Sequence, residues 1–198
     1  MTCDVILAGV GGQGVLSMAA IIGNAASSAG WYAKLSEVHG MAQRGGAVHS
    51  HLRLSDRPIQ SDLVARGTAD LILGMEPVEA LRYLEYLAPT GTLVTASSPV
   101  RNIPDYPEIA QVMERIRRLP HATVVEAEQL ATEAGDPLAM NTVMVGAAAD
   151  LLPLPIETLE KAVSETFARK GELALAVNRA AFRAGRRAAE SAGVSTSG

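Results

Sequence analysis

The run Asp4 to Val10, "DVILAGV", is followed at once by "GGQG" and then by "VLSMAAIIGNAASSAG", Val15 to Gly30. A short apolar segment that ends in glycines reads as a buried strand. Small and apolar residues at helical spacing read as a packed helix, with Gly30 as its C-cap. A strand feeding a helix through a glycine turn constrains the fold strongly. The helix must pack back onto a sheet, and other strands must lie beside the first.

The alternation continues along the chain. Tyr32 to Glu37 and Ala47 to Ser55 read as strands, separated by a glycine-rich loop from Gly40 to Gly46. Ala69 to Met75 is a buried strand. Glu76 to Leu87 is a helix, with Val78, Leu81, Leu84 and Leu87 near one face and Pro77 in its first turn. Gly91 to Ala96 is a strand, and Tyr106 to Leu119 a helix that turns Ile109, Val112, Met113 and Ile116 inward. Ala122 to Glu126 is a strand and Ala127 to Ala134 a short helix. Pro137 to Leu152 is largely helical and nearly all apolar, so buried; further helices start at Pro155 and run from Gly171 to Ala192.

This order implies an α/β fold: a three-layer, Rossmann-like sheet with helices on both faces and a helical C-terminal third. Hydrophobic residues make up 48% of the chain and aromatics only 4%. Ala, Val, Leu and Ile therefore carry the core, as expected of parallel strands covered on both faces. No linker or internal repeat divides the 198 residues, so one domain over 1–198 is expected, with 193–198 a disordered tail.

Charge and cysteine usage narrow the function classes. The net charge of −4 offers no overall positive field for a nucleic acid. The single cysteine, Cys3, cannot form an internal disulfide, and it cannot hold an iron–sulfur cluster or a structural zinc. A reducing cytoplasm is the expected location. No basic segment precedes the first apolar run and no stretch of about 18 apolar residues occurs, so neither a secretory leader nor a membrane span is expected.

Gly9, Gly11 and Gly14 satisfy G-x-G-x-x-G between a strand and a helix. Gly9 would permit the turn, Gly11 and Gly12 the approach of another group, and Gly14 close packing of helix on strand. The helix N-terminus is suited to an anion. Glu37, near the end of the second strand, stands where a ribose-binding carboxylate would be. Gln13 and the extra glycine Gly12 suit a wider loop, and no Gly-Lys-Ser/Thr follows to make a P-loop. Taken alone, the motif leaves a dinucleotide site and a purely structural turn both open.

The stretch "SEVHGMAQRGGAVHSH", Ser36 to His51, gathers Glu37, His39, Gln43, Arg44, His49 and His51. His49 and His51 share one strand face with Arg53; Val48, Ser50, Leu52 and Leu54 share the other. The histidines lack Asp or Cys company at ligand spacing, so a strand face that is solvated or covered by a partner is expected rather than zinc. Arg44 beside Gly45 and Gly46 can form an anion-facing turn, a solvated turn, or an ion pair with Glu37. No nucleophile–base–acid set stands out. In the last helix, Arg179, Arg183, Arg186 and Arg187 form either a solvated basic face or a docking face.

Taken together, "GVGGQGV", "SEVHGMAQRGGAVHSHLRLS", "PI" at Pro58-Ile59, "ADLILGMEPVEALR" and Asn141 in "MNTVMVGAAADLL" resemble the gamma-type domain of 2-oxoacid:ferredoxin oxidoreductases. Around "HGMAQRGG" the chain looks most like the small subunits of the indolepyruvate branch. The resemblance covers almost the whole chain. It implies a subunit, inactive alone, of an enzyme that oxidatively decarboxylates aryl pyruvates to acyl-CoA and passes electrons to ferredoxin. Thiamine diphosphate and the iron–sulfur clusters would sit in a large alpha subunit, with coenzyme A as substrate. Gly11, Gly12, Gln13, Gly14, Arg44, Gly45 and Gly46 would form the edge facing the partner's cofactor and coenzyme A. Glu37, His39, Gln43 and Asn141 would belong to the subunit interface. The isolated chain could form a homodimer. The alternatives are a stand-alone dinucleotide-binding oxidoreductase or regulator, and the same subunit type acting on pyruvate or another 2-oxoacid.

Overall fold

The computed structural model describes residues 1–39 and 45–193, with His39 described by its backbone only. Six strands form one sheet: β1 (Thr2–Val10), β2 (Tyr32–His39), β3 (Ala47–Ser55), β4 (Ala69–Gly74), β5 (Leu87–Ala96) and β6 (Ala122–Val125). Their order is β2-β3-β1-β4-β5-β6. The helices are α1 (Val15–Ser28), α2 (Pro77–Arg82), α3 (Ile109–Arg117), α4 (Ala127–Ala134), α5 (Met140–Ala148), α6 (Ile156–Ala168) and α7 (Glu172–Ser191).

Period-2 alternation divides the central strands between two cores. Val5, Leu7, Leu71 and Leu73 join Leu52 and Leu54 under α1, α5, α6 and α7. Ile6, Ile72 and Leu93 point the other way, onto Ala80, Val112 and Ile116 of α2 and α3. Helices thus cover both faces, as the sequence implies, and the larger core lies beneath α1 and the C-terminal helices. Within that layer α5 and α7 cross closely. A Cβ on Gly185 would collide with the Val143 carbonyl, and one on Gly146 with the Phe182 carbonyl.

The sheet is mixed, which corrects the expectation of parallel strands. β1, β4, β5 and β6 are parallel, but β3 runs antiparallel to both β1 and β2. The cause is the connection. Residues 40–46 are too short for the crossover that parallel neighbours need, so β2 and β3 form a hairpin. β3 is thereby inserted between β1 and β2.

Two helices are shorter than their periodicity suggests, and a third stretch is divided. Glu76–Leu87 is α2, then a 3-10 turn at Leu84–Tyr86, then the start of β5. Tyr106–Leu119 is helical only over Ile109–Arg117. Pro137–Leu152 is α5 flanked by 3-10 turns at Pro137–Ala139 and Ala149–Leu151. Three of the four arginines of α7 are held by this chain's own groups. Arg179 donates to Ser164 at 2.8 Å, Arg183 to Glu160 at 2.5 Å, and Arg186 to Asp150 at 3.1 Å. Of the expected tail, 193–198, residues 194–198 lie outside the described residues.

Candidate functional site

The chain leaves β1 through α1 toward β2 on one side and returns on the other side as β4. The carboxyl ends of β1 and β4 are therefore a topological switch point, where open α/β sheets bind ligands. The glycine loop stands at that point. So does the turn at Gly45 and Gly46, because the hairpin brings the start of β3 alongside the end of β1: Val10 pairs with Ala47.

Backbone bonds join the two motifs. The Gly11 N–H donates to the Gly46 carbonyl at 2.9 Å. Asn102, from the segment after β5, donates its side-chain amide to the Gly45 carbonyl at 3.0 Å. Gln13 ties the loop to both strands. Its Oε1 accepts from Val10 N at 2.8 Å, and its Nε2 donates to the Met75 carbonyl at 3.1 Å. The Gln13 side chain thus positions the loop.

Gly14 takes φ 84° at the start of α1, and a Cβ there would lie 2.9 Å from Asn141 Nδ2. Asn141 is buried beneath the loop. Its Oδ1 accepts from Thr142 N at 2.9 Å, while the Thr142 hydroxyl donates to Asn178 Oδ1 at 2.6 Å. A buried polar chain therefore fixes α5 to α7 below the loop. Gly12, at φ 104°, and Gly45, at φ 72°, have open space where a Cβ would stand. They are the points at which the loop and the turn present bare backbone outward.

Glu37 lies on β2 opposite Ser50 of β3. One whole strand separates it from β1, roughly 9–10 Å at ordinary strand spacing. A ribose carboxylate needs to stand beside the glycine loop, and the inserted β3 removes that geometry. The Gly11 N–H is also already engaged by Gly46. Both features count against the dinucleotide alternative. His39 pairs with Val48 through its backbone at the end of β2. Gln43 and Arg44 lie outside the described residues.

His51 is buried by this chain itself and His49 partly so, which corrects the expectation of a solvated or partner-covered face at His51. His51 is 4% exposed, and its Nδ1 accepts from Val64 N at 3.1 Å. The Tyr83 hydroxyl bonds His49 Nδ1 at 2.9 Å. Tyr83 and Tyr86 lie 4.4 and 5.3 Å from the two histidine rings, centroid to centroid. Burial pushes both histidine pKa values down; the neighbouring imidazole adds to this at His49, and Asp62 opposes it at His51. Among the described residues no three His, Cys, Asp or Glu side chains are grouped as metal ligands.

Sequence reasoning missed an acidic pair behind the edge. Glu76 follows β4, is fully buried and caps α2 by accepting from Glu79 N at 2.7 Å. Its other oxygen accepts from the Tyr106 hydroxyl and, at 3.4 Å, from Val100 N. Those bonds hold the segment after β5 over the site. Glu79 is 1% exposed; it pairs with Arg82 at 3.2 Å and leaves Oε2 without a partner. Burial raises its pKa, with Arg82 opposing and Glu76 adding to the rise. The local signal was legible: an acid, then Pro77, then Glu79 is a helix-start pattern.

The edge is thus a pre-organised backbone surface, braced from behind by Gln13, Asn141, Asn102 and Glu76. This chain is similar to several known proteins. An indolepyruvate oxidoreductase subunit IorB of Archaeoglobus fulgidus is 37% identical over 180 residues, spanning 86% of this chain and 88% of that protein. A keto/oxoacid ferredoxin oxidoreductase gamma subunit of Geobacter sulfurreducens superposes with a TM-score of 0.71 at 26% identity, over 96% of this chain and 99% of that one. The 2-oxoglutarate:ferredoxin oxidoreductase of Magnetococcus marinus has the same fold with a TM-score of 0.77 at 23% identity; this chain spans 96% of its own length but 31% of that one. The family model described as pyruvate ferredoxin/flavodoxin oxidoreductase matches residues 4–188. This chain belongs to the pyruvate ferredoxin/flavodoxin oxidoreductase family.

Proposed function

We propose that this chain is the small, gamma-type subunit of a ferredoxin-dependent 2-oxoacid oxidoreductase whose substrate is indolepyruvate or another aryl pyruvate. The complex converts the 2-oxoacid and coenzyme A to an acyl-CoA and carbon dioxide, and two electrons pass to ferredoxin. Thiamine diphosphate and the iron–sulfur clusters belong to a large alpha subunit. This chain's own residues do not fit a cluster: four thiolates are needed, whereas Cys3 is buried in β1 with its thiol pushed up to about 12 by burial and by Asp70 and Asp4.

The observation that carries the reading is the Gly11–Gly46 hydrogen bond. It joins the two motifs of the family resemblance into one surface at the switch point. Gly11, Gly12, Gln13, Gly14, Gly45 and Gly46 shape that surface toward the partner's cofactor and coenzyme A. Arg44 supplies its positive charge, to a coenzyme A phosphate or a partner carboxylate. Glu37, His39 and Gln43 lie on the subunit interface, and Asn141 acts from below by holding Gly14. The isolated chain is inactive and forms a homodimer. Its location is the cytoplasm; no described helix is long and apolar enough to cross a membrane.

The test is co-expression with a candidate large subunit, followed by assay with coenzyme A, ferredoxin and a panel of 2-oxoacids. Activity only in the complex, and highest with indolepyruvate, is expected. Turnover by the isolated chain overturns the subunit reading, and preference for pyruvate overturns the aryl assignment. In the same complex Arg44→Ala should raise the KM for coenzyme A about tenfold or more, or weaken assembly, as loss of a charge-assisted bond of roughly 1.5–3 kcal/mol would. An unchanged KM with unchanged assembly removes Arg44 from the site.

A further inference from the structure

β2 is an edge strand of a kind that folded proteins usually avoid. It spans eight residues, pairs with β3 on one side without a register shift, and contains no proline. Open edges are ordinarily blunted by shortness, charged side chains, proline, bulges or inward charges; of these β2 carries only Lys34 and Glu37. The opposite edge, β6, follows that rule with four residues. β2 instead exposes three large apolar residues: Tyr32 is 50%, Leu35 41% and Val38 43% exposed.

These residues lie on both faces of the sheet. Leu35 pairs with Leu52 on the α1 side, whereas Tyr32 and Val38 pair with Ser55 and His49 on the other side. A helix laid on one face would cover only one set. A strand added at the edge covers both and satisfies the outward backbone groups as well.

We propose that β2 pairs antiparallel with β2 of a second copy of this chain across a two-fold axis at Leu35, joining two six-stranded sheets into one. The self-match of the sequence selects this occupant. Facing residues in an antiparallel ladder share a sheet face, which leaves few symmetric registers. Centred on Leu35, the ladder sets Leu35 against Leu35, Tyr32 against Val38 twice, Lys34 against Ser36, and Ala33 against Glu37. Every exposed large apolar residue meets another, including two aromatic–β-branched pairs. Centred on Ser36, Leu35 meets Glu37 and Val38 meets Lys34. Centred on Lys34, two lysines meet. An isologous interface needs this kind of self-complementarity.

The pairing gives the homodimer a surface and a register, and it stands apart from the enzymatic reading. The axis sets the two carboxyl edges on opposite sides of the joined sheet, so both glycine loops stay open to large subunits.

The experiment uses the full chain, alone and in complex with the large subunit. Leu35→Cys is oxidised mildly and run on a non-reducing gel, with Ala33→Cys as register control. A disulfide-linked dimer from Leu35→Cys, alone and in the complex, and none from Ala33→Cys, is expected; the native Cys3 is buried and silent. Sedimentation should show a dimer for the native chain and a monomer for Leu35→Lys, in which two like charges face each other. A monomeric native chain, equal cross-linking by the two cysteine variants, or loss of the Leu35→Cys cross-link when the large subunit binds overturns the proposal.

Discussion

The side-chain amide of Gln13 donates to the carbonyl of Met75 at 3.1 Å while accepting from the Val10 amide at 2.8 Å. One side chain thus fastens the glycine loop to the carboxyl ends of both strands at the switch point. Gln13→Ala removes both bonds and leaves a part-buried donor and acceptor. A loss of about 1–3 kcal/mol is expected, read by urea unfolding. Gln13→Glu keeps the acceptor but sets a carboxylate against the Met75 carbonyl, so it should not restore the native value.

Gly14, Gly12 and Gly23 form a graded series. Gly14 combines φ 84° with Asn141 Nδ2 at 2.9 Å from a would-be Cβ; Gly12 has φ 104° with open space; Gly23 lies inside α1 with neither. Gly14→Ala should cost most. Gly12→Ala should cost only the left-handed strain of roughly 1–2 kcal/mol. Gly23→Ala should stabilise by about 0.4–1 kcal/mol. Thermal unfolding of the three variants checks the order.

At the α5–α7 crossing, helix meets helix through bare backbone. Gly185→Ala drives a methyl into the Val143 carbonyl, and backbone cannot yield as a flexible side chain can. The cost should reach or pass the top of the range of about 1–3 kcal/mol usual for overpacking. Loss of soluble expression, or a collapsed unfolding midpoint, is the expected readout.

Much of this was legible because it is local. β1, its glycine loop and α1 are set by adjacent residues, and the helices on both faces follow from the alternation. The reversal of β3 was not legible from periodicity, which is the same for parallel and antiparallel strands; the brevity of residues 40–46 decides it. The Gly11–Gly46 bond is backbone to backbone and leaves no mark on residue type. The Tyr106–Glu76 contact spans thirty residues. The cover over His49 and His51 depends on a break after Arg82 that turns Tyr83 and Tyr86 onto the sheet, where helical spacing suggested a longer α2.

Both histidines should make stability fall in acid. Their folded pKa values lie below the ordinary 6.5, so the unfolded chain binds protons first. Their contribution is complete above about pH 6.5 and is lost as pH falls through the folded values. Glu79 acts in the opposite sense. Its raised pKa gives a contribution present at low pH and lost as pH rises through the folded value, above 4.5. Urea unfolding across pH should show a shallower loss below about pH 6.5 for His49→Gln/His51→Asn than for the native chain. An unchanged slope would mean that the histidines are not what titrates.

The edge built from the glycine loop and the Gly45–Gly46 turn is proposed to face a larger subunit. Hydrogen–deuterium exchange of this chain, alone and bound to the large subunit, discriminates. Slowed exchange at the amides of Gly12, Gly14 and Gly45, together with the hairpin residues between β2 and β3, is the expected result. Unchanged exchange at those amides, with protection elsewhere in the bound chain, would contradict it.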